Sequence, residues 1–286
     1  MQVIISPAKQ MRVERDAFEP RGIPPFPMQT ERLYRELRRI ERIEGAEGLR
    51  DLWKVNDKLL AQNIELLDRF APIHGVHELA DPVIAALVSP AIFSYVGIQY
   101  QSLAPEVLDL DALDWLQGHL WVVSGLYGCV RPFDAIQPYR LEMGARLAVD
   151  ETRDLYGFWG DAIARRIEGS NEAKLDETTG SPATGASAEK PSDAGACVVN
   201  LASVEYAKAV LAHLSMSTQV VTCIFGEELR AGKPIQRATA SKIARGSMVR
   251  WMAERGCQDA SELAAFDVGY RLAPELSSPD TLVFMR

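Results

Sequence analysis

Apolar side chains recur along this chain in two ways, one typical of helices and one typical of buried strands. From Thr30 to about Glu44 they stand three or four positions apart, at Leu33, Leu37 and Ile40. That spacing places them on one face of a helix, for which Thr30 is a suitable N-cap. Short continuous apolar runs predict buried strands instead, at residues 3–5, 120–123, 197–201, 219–225 and 281–285.

Further helices are predicted by amphipathic spacing, at residues 49–70, 81–88, 105–117, 154–167 and 241–254. After the β-branched run at 219–225, we expect residues 226–233 to close a hairpin onto 234–238. Strands and helices alternate irregularly, which favours a mixed α+β domain over a doubly wound sheet. The length of 286 residues fits one large domain or two small ones.

Residues 169–195 interrupt this order of elements. They consist almost entirely of glycine, serine, alanine, threonine and charged residues, with hardly any side chain that a core could bury. A segment of that composition cannot offset the entropy lost on ordering. We therefore predict a flexible surface insertion there.

The formal net charge of −8 argues against a general attraction to nucleic acid. The average hides one basic stretch, in which six cations accompany the single acid Glu254. These cations are Lys233, Arg237, Lys242, Arg245, Arg250 and Arg255. The arginines of the first predicted helix, in contrast, are interspersed with glutamates, and a solvated face explains them.

Cellular location and bound groups are predicted mainly from missing signals. The N-terminal segment lacks the basic leader and apolar core of a signal peptide, and no apolar run approaches the roughly 20 residues of a membrane helix. We expect a cytoplasmic protein with reduced thiols and no membrane contact. No cofactor is predicted, because the glycine-rich nucleotide motifs and the HExxH metal motif are absent. No metal site is predicted either, since the four histidines are scattered.

Residues 124–144, SGLYGCVRPFDAIQPYRLEMG, hold the densest group of candidate functional residues. Gly125 and Gly128 flank a turn after Ser124, and such a turn lets backbone N–H groups approach an anion. Arg131 and Arg140 are candidates for bidentate phosphate contacts.

Tyrosines and carboxylates complete this group. Tyr127 and Tyr139 are candidates for stacking on bases, while Asp134 and Glu142 are placed to hold the arginines. A tight turn with structural ion pairs explains the same residues equally well, so both interpretations stay open.

Three other segments carry charged or polar candidate site residues directly after apolar runs or at helix starts. In the first, SPAK, Lys9 offers a point charge to a phosphate, although a surface lysine explains it as well. The second is DLYGFWGD, where Asp161 is the uncertain member. The third is NLASVEYAK, where Glu205 and Lys208 form an ordinary surface pair. The candidates taken from these segments are Ser6, Lys9, Asp161, Asn200, Ser203 and Lys208.

Taken together, these segments resemble the YaaA family, which is associated with resistance to peroxide stress. The matching pieces are IISPAK, NDKLLAQN, the 124–144 block, DLYGFWGD, VVNLASVEYAK and KIARGSMVRWMAE, in order from residue 4 towards the C-terminus. One departure is IFSYVGIQY at 92–100, which keeps Tyr95 and Gly97 but lacks the acid that the family usually shows there.

The resemblance implies a single compact α+β domain of unusual topology that contains a helix-hairpin-helix element. It also implies non-specific binding of double-stranded DNA in a basic cleft, and a role in limiting free intracellular iron under peroxide. The DNA-binding or anion-binding residues would be Lys9, Lys58, Ser124, Gly125, Tyr127, Gly128, Arg131, Tyr139, Arg140, Lys208, Lys242 and Arg245. Ser6, Glu142, Asp161, Asn200 and Ser203 would support them.

Two alternatives accompany the DNA hypothesis. The first is an enzyme that acts on a small phosphorylated or nucleotide-like substrate around Arg140, with Glu142 or Asp161 as general base. A small anionic ligand is then the partner. The second is direct iron sequestration, for which the sequence offers only the loose pair His74 and His77.

Overall fold

A seven-stranded sheet runs through the centre of the protein. The computed structural model describes residues 1–14, 18–169 and 196–286. Seven strands form this central sheet, and the others form two-stranded sheets. In chain order, the strands of the described residues are β1 Gln2–Ile5, β2 Gln10–Met11, β3 Ser89–Pro90, β4 Tyr95–Val96, β5 Leu120–Ser124, β6 Gly128–Val130, β7 Ala135–Ile136, β8 Cys197–Asn200, β9 Gln219–Gly226, β10 Glu228–Arg230, β11 Lys233–Ile235, β12 Arg271–Leu272 and β13 Thr281–Met285.

Helices cover the sheet and extend beyond it. They are α1 Pro27–Trp53, α2 Asp57–Arg69, α3 Pro82–Ala85, α4 Ala91–Ser94, α5 Ile98–Leu103, α6 Leu110–His119, α7 Leu155–Trp159, α8 Ala162–Gly169, α9 Val204–Leu211 and α10 Ala238–Arg255. Four 3₁₀ turns lie at Val76–Ala80, Pro105–Val107, Ala260–Ala265 and Pro274–Leu276. None of these helices is both long and apolar enough to cross a bilayer, in the part of the chain that the structure describes.

The central sheet has the strand order β12-β13-β9-β8-β1-β5-β6. Neighbours from β13 to β5 pair in parallel, while β12 and β6 pair antiparallel at the two edges. The fold is therefore mixed α/β, as predicted. The parallel pairing of the central strands was not predicted. Strands buried on both faces carry continuous apolar runs, and such runs give no indication of strand direction.

The predicted helix at 49–70 comprises two helical segments: the last part of α1, which follows a break at Gly45 with φ of 68°, and the whole of α2. The predicted end of the first helix near Glu44 coincides with that break. α1 ends at Trp53, and Lys54 takes a left-handed conformation with φ of 51°. The side chain of Asn56 then caps α2 by accepting a hydrogen bond from the Leu59 N–H at 3.0 Å. Leucine periodicity runs through this break because both helices bury leucines.

The SGLYG turn connects β5 to β6, with Ser124 opposite Gly128 in the antiparallel register. It is a β-hairpin turn, so the helix-hairpin-helix element that the resemblance implies does not form at this segment. Of the predicted insertion at 169–195, only Gly169, where α8 ends, lies among the described residues.

Candidate functional site

A cavity of about 480 Å³ lies at the carboxyl end of β1, bordered by α5, α10 and the start of α9. The carboxyl ends of β1 and β8 lie side by side because these strands pair in parallel. Loops at that edge of a parallel sheet are common positions for ligand sites. Eight of the predicted site residues line the cavity, namely Ser6, Lys9, Tyr139, Arg140, Glu142, Ser203, Lys242 and Arg245.

Two serines join the loops that follow β1 and β8. The Ser6 hydroxyl donates a hydrogen bond to Ser203 Oγ at 3.1 Å and accepts one from the Ser203 N–H at 2.8 Å. Behind them, Asn200 Oδ1 accepts a hydrogen bond from the Ala202 N–H at 3.0 Å. Asn200 therefore shapes the loop that enters α9, while Ser6 and Ser203 lie at the cavity wall.

Glu142 forms ion pairs with two cations of the cavity. Its Oε1 lies 2.7 Å from Arg140 Nη2 and 3.0 Å from Lys9 Nζ. The side chains of Arg140 and Glu142 are only 12% and 19% exposed, whereas that of Lys9 is 72% exposed. Arg140 and Glu142 thus form a pair within the wall, and Lys9 reaches it from the rim.

Two further cations come from α10, and a close backbone contact brings them to the cavity. At Gly246, an added Cβ would lie 2.0 Å from the Gln99 carbonyl oxygen, so only glycine allows α10 to approach α5 this closely. Lys242, one turn earlier on α10, and Arg245, directly before Gly246, line the cavity. Neither has an acidic partner among the described residues, and Arg245 Nε is buried without a hydrogen-bond partner there. Burial also lowers the pKa of Arg245.

Charges along the cavity wall sum to an excess of two positive charges. Four cations, Lys9, Arg140, Lys242 and Arg245, face the two acids Glu142 and Glu205. Glu205 is partly engaged already, since its Oε1 accepts a hydrogen bond from the Gly144 N–H at 2.8 Å. A wall of this sign in a confined space attracts anions.

Tyrosines form much of the remaining wall. The Tyr139 hydroxyl lies 2.6 Å from Ser124 Oγ and 3.3 Å from the Tyr95 hydroxyl. The Tyr100 hydroxyl donates a hydrogen bond to the Ser6 carbonyl at 3.0 Å. Burial raises the pKa of Tyr139 to about 12, so this phenol is neutral at physiological pH. Ser124 is itself fully buried and holds Tyr139 rather than facing the cavity.

The turn residues Gly125, Tyr127 and Gly128 are buried, contrary to their predicted role as anion contacts. A Cβ at Gly125 would lie 2.5 Å from the Leu141 carbonyl oxygen. Gly128 has φ of +73°, and its added Cβ would lie 2.8 Å from the Trp159 ring. The glycines are required by dense packing, which leaves no backbone surface for a phosphate.

Arg131 also belongs to the interior rather than to the cavity. Its guanidinium lies 3.8 Å from the centre of the Trp121 ring and donates a hydrogen bond to the Leu120 carbonyl at 3.2 Å. Burial lowers the pKa of Arg131 to about 10. Burial also raises the pKa of nearby Asp134, which accepts the Arg131 N–H at 2.8 Å, to about 7. This position removes Arg131 from the candidates for phosphate contact.

Three other predicted residues lie outside the cavity wall. Lys58 is exposed on α2, and Asp161 forms an ion pair with Arg165 at 2.5 Å. Lys208 Nζ lies 4.4 Å from the centre of the Tyr156 ring. The position of Glu205 in the cavity wall, where it accepts a hydrogen bond from Gly144, was not predicted, because no local pattern connects these two residues.

A second arginine-rich surface lies along α1, where five arginines line a groove of about 540 Å³. Four of them have acidic partners. Arg35 lies 2.6 Å from Glu31, and Arg39 lies 2.7 Å from Glu36. Arg32 pairs with Asp150, and Arg38 pairs with both Glu41 and Asp68. The solvated, balanced face expected from the sequence is thus confirmed.

Metal ligands and thiols add nothing to the cavity. Among residues 1–14, 18–169 and 196–286, no group of three or more histidine, cysteine or acidic side chains is arranged to hold a metal ion. The cysteines are free thiols, and burial raises the pKa of Cys129, Cys223 and Cys257.

The fold and the cavity define a mixed α/β protein with a positively charged cavity at the carboxyl edge of a parallel sheet. The chain belongs to the YaaA family, since the family model described as peroxide stress protein YaaA matches residues 1–276. A UPF0246 protein of Desulfitobacterium hafniense is 36% identical over 287 aligned positions, which cover 100% of this chain and 98% of the relative. A UPF0246 protein of Pediococcus pentosaceus is 37% identical with the same coverage.

Proposed function

We propose that this protein acts in the response to peroxide stress by binding double-stranded DNA without sequence preference, through phosphate contacts at the cavity. The observation that carries the proposal is the presence of two cations, Lys242 and Arg245, without acidic partners among the described residues. A phosphate that binds there gains their attraction without displacing a carboxylate. Arg140 and Lys9, held by Glu142, extend the same positive surface.

The overall charge limits how this binding works. With a net charge of −8, most of the protein surface repels DNA, so contact is confined to the face around the cavity. Few phosphates are then neutralised, and affinity is modest and falls as salt rises. Because phosphate contacts carry no base information, the binding is indifferent to sequence.

We propose that α5 and α6, which both pack against α10, correspond to the helix-hairpin-helix element that the resemblance implies. These helices are joined by the 3₁₀ turn Pro105–Val107, and Ala104 before that turn has a left-handed φ of 48°. α5 also supplies Gln99 and Tyr100 to the cavity wall. A hairpin in this position presents its backbone to DNA beside the cations of α10.

Salt dependence tests this proposal directly. We expect Lys242→Ala to weaken binding to all duplex sequences alike and to reduce the salt slope by about one unit. Fluorescence anisotropy between about 50 and 200 mM salt measures both quantities. Arg250→Ala is the matched control, because Arg250 lies on the same helix but pairs with Glu254 at 2.7 Å. Equal effects of the two substitutions would contradict the proposal.

A second candidate function is an enzyme that acts on a small phosphorylated or nucleotide-like substrate. The size of the cavity, about 480 Å³, favours it, since small-ligand pockets usually span about 300–1,000 Å³. Glu142 is the candidate base within the wall, although it already binds two cations. Asp161 is outside the wall and pairs with Arg165.

Thermal-shift measurements with phosphorylated metabolites and nucleotides test this second candidate. An enzyme of this kind predicts stabilisation by at least one compound and loss of turnover in Glu142→Gln. If no compound shifts the melting temperature while duplex DNA does, the enzyme hypothesis is wrong.

The link to free intracellular iron remains a prediction of family membership. If DNA binding underlies it, cells that express the Lys242→Ala protein should hold more chelatable iron under peroxide than cells that express the parent protein. Arg250→Ala serves again as the control. An unchanged level of chelatable iron, at equal protein abundance, would show that the cavity is not involved in controlling iron.

A further inference from the structure

We propose that the cavity binds a phosphomonoester, the terminal phosphate of a nucleic-acid strand or of a mononucleotide, in preference to the phosphodiesters of an intact strand. This inference rests on the proposed phosphate-binding function and names the kind of phosphate that fits. Three independent features of the cavity support it: its charge, its polar groups and its enclosure.

Charge is the first feature. A backbone phosphodiester carries a single negative charge, whereas a phosphomonoester carries about −1.5 to −2 near neutral pH. The cavity wall has four cations and two acids, an excess of two positive charges. Moreover, the two cations without acidic partners among the described residues, Lys242 and Arg245, lie one turn apart on α10. A monoester neutralises both, and a diester leaves one uncompensated.

The polar groups at the start of α9 are the second feature. Ser203 is the N-cap residue, yet no side chain caps this helix, because its hydroxyl is bonded to Ser6 instead. The first N–H groups of a helix lack intrahelical partners and favour an anion. Ser203, Glu205 and Tyr206 bring this helix start to the cavity wall. A terminal phosphate has three free oxygens for these groups and the cations together, whereas a diester has two.

Enclosure is the third feature. Tyr100, Tyr139 and Tyr206 form part of the wall, and the cavity holds about 480 Å³. The phosphate in the middle of a duplex strand is flanked by nucleotides on both sides, so it contacts the cations at the cavity rim, such as Lys9, without settling inside. A strand end or a single nucleotide enters with only one neighbour. Tyr139, the least buried of these tyrosines, is the candidate for contact with the attached base.

Binding of matched duplexes tests the proposal. The probes are one short blunt duplex with 5′-phosphates, the same duplex with hydroxyl ends, a covalently closed duplex without ends, and adenosine 5′-monophosphate beside adenosine. We expect the phosphorylated duplex to bind about tenfold more tightly than its hydroxyl counterpart, because a charge-assisted contact is gained at the end. A similar preference for the nucleotide over its nucleoside would identify free mononucleotides as a second source.

Variants connect this preference to the cavity. Arg245→Gln should reduce the preference for the phosphorylated end to nearly equal binding. Because Arg245 is half-buried, Lys242→Ala at an exposed position provides a second variant whose folding is not at risk. Arg250→Ala on the same helix should retain the full preference, since that arginine is held by Glu254.

A pH series adds a readout that a general loss of basic charge would not produce. The second ionisation of a phosphomonoester has a pKa of about 6, so the preference for the phosphorylated end should shrink between about pH 7.5 and pH 5.5. Binding of the closed duplex serves as the reference, because its phosphodiesters do not titrate in that range.

The possible results separate this inference from the proposed function. Equal binding of phosphorylated and hydroxyl ends, with no preference for the mononucleotide, overturns the inference but leaves DNA binding intact. Failure of every duplex, closed or open, overturns the proposed DNA function. Tight binding of the mononucleotide alone supports the phosphomonoester site and assigns it to a small metabolite.

Discussion

The arginine groove of α1 and the cavity beside α10 both present several cations, but the two surfaces differ in what surrounds those cations. Four of the five arginines in the groove have carboxylate partners, so most of its positive charge is already compensated by ion pairs. In the cavity, Glu142 pairs with both Lys9 and Arg140, while Lys242 and Arg245 have no acidic partner within the described ranges. The groove is larger than the cavity, at about 540 Å³ against 480 Å³, yet it has fewer unpaired cations with which to attract an anion.

This difference shows that the number of cations does not predict an anion site. A cation that already pairs with a carboxylate gains little from a phosphate, because the carboxylate must first be displaced. An unpaired, half-buried cation keeps its full attraction in a medium less screened than water. Pairing, rather than abundance, therefore separates the candidate site from the solvated face.

The largest expected effect concerns Arg131, a third kind of cation that serves the interior. Arg131→Ala removes a guanidinium stacked 3.8 Å from the Trp121 ring and leaves a space behind it. We expect a loss of about 3 kcal/mol in the free energy of unfolding, measured by urea denaturation, from lost packing and cation–π contact. Per folded molecule, DNA affinity should stay unchanged. A large loss of affinity in the folded variant would place Arg131 among the contacts after all.

The comparison itself is tested by two double substitutions. Lys242→Gln with Arg245→Gln should weaken duplex binding about 100-fold at low salt, because two charge-assisted contacts are lost. Arg35→Gln with Arg39→Gln on α1 removes the same charge from the groove and should change affinity by less than about threefold. Anisotropy titrations compare the two directly. Similar losses would mean that net charge alone governs binding.

A pH experiment probes the buried carboxylate beside Arg131. Burial raises the pKa of Asp134 to about 7, above its unfolded value of 3.8. Between these values the folded state holds a proton that the unfolded chain releases, so stability falls as pH rises through that window. From about pH 5 to pH 6.5 the loss amounts to about 2 kcal/mol.

Asp134→Asn cannot titrate and should lack this slope, while its side-chain oxygen can still accept the Arg131 N–H. Urea denaturation of both proteins at several pH values provides the measurement. Parallel stability curves for the two proteins would show that Asp134 does not titrate in this range.

The smallest effect would come from exposing the arginines of α1. Glu31→Gln with Glu36→Gln removes the partners of Arg35 and Arg39. If these ion pairs are what prevents the groove from binding DNA, duplex affinity should rise about two- to threefold at low salt and return to the parent value at high salt. An unchanged affinity at low salt would indicate that shape, and not pairing, excludes DNA from the groove.

Much of the fold was predictable from local sequence. The apolar runs gave the central strands within one or two residues, and the spacing of Leu33, Leu37 and Ile40 predicted the buried face of α1. Breaks within helical patterns were missed where a single residue ends a helix. Lys54 and Gly160 take positive φ values at these breaks. A positive φ is unfavourable for lysine but not for glycine.

The site was predictable in composition but not in arrangement. Lys9, Arg140 and Lys242 were predicted as anion contacts from three distant segments, and they line one cavity. Their role in binding stays a prediction. Arg131 and Arg140 look alike in sequence, only nine positions apart, and the structure puts one inside and one at the wall. Local pattern cannot distinguish them, because their burial depends on Trp121 and on the contacts of the whole sheet.

The place of β1 in the sheet has a consequence for how the molecule is made. This first strand of the chain lies between β5 and β8, and Ser6 bonds to a serine 197 positions later. The cavity wall also includes Arg245 of α10, so a ribosome must release the chain beyond that residue before the cavity is complete. Contacts so distant in sequence form slowly. Shortened or interrupted chains should consequently lack the anion site entirely, so that only finished molecules can engage a phosphate.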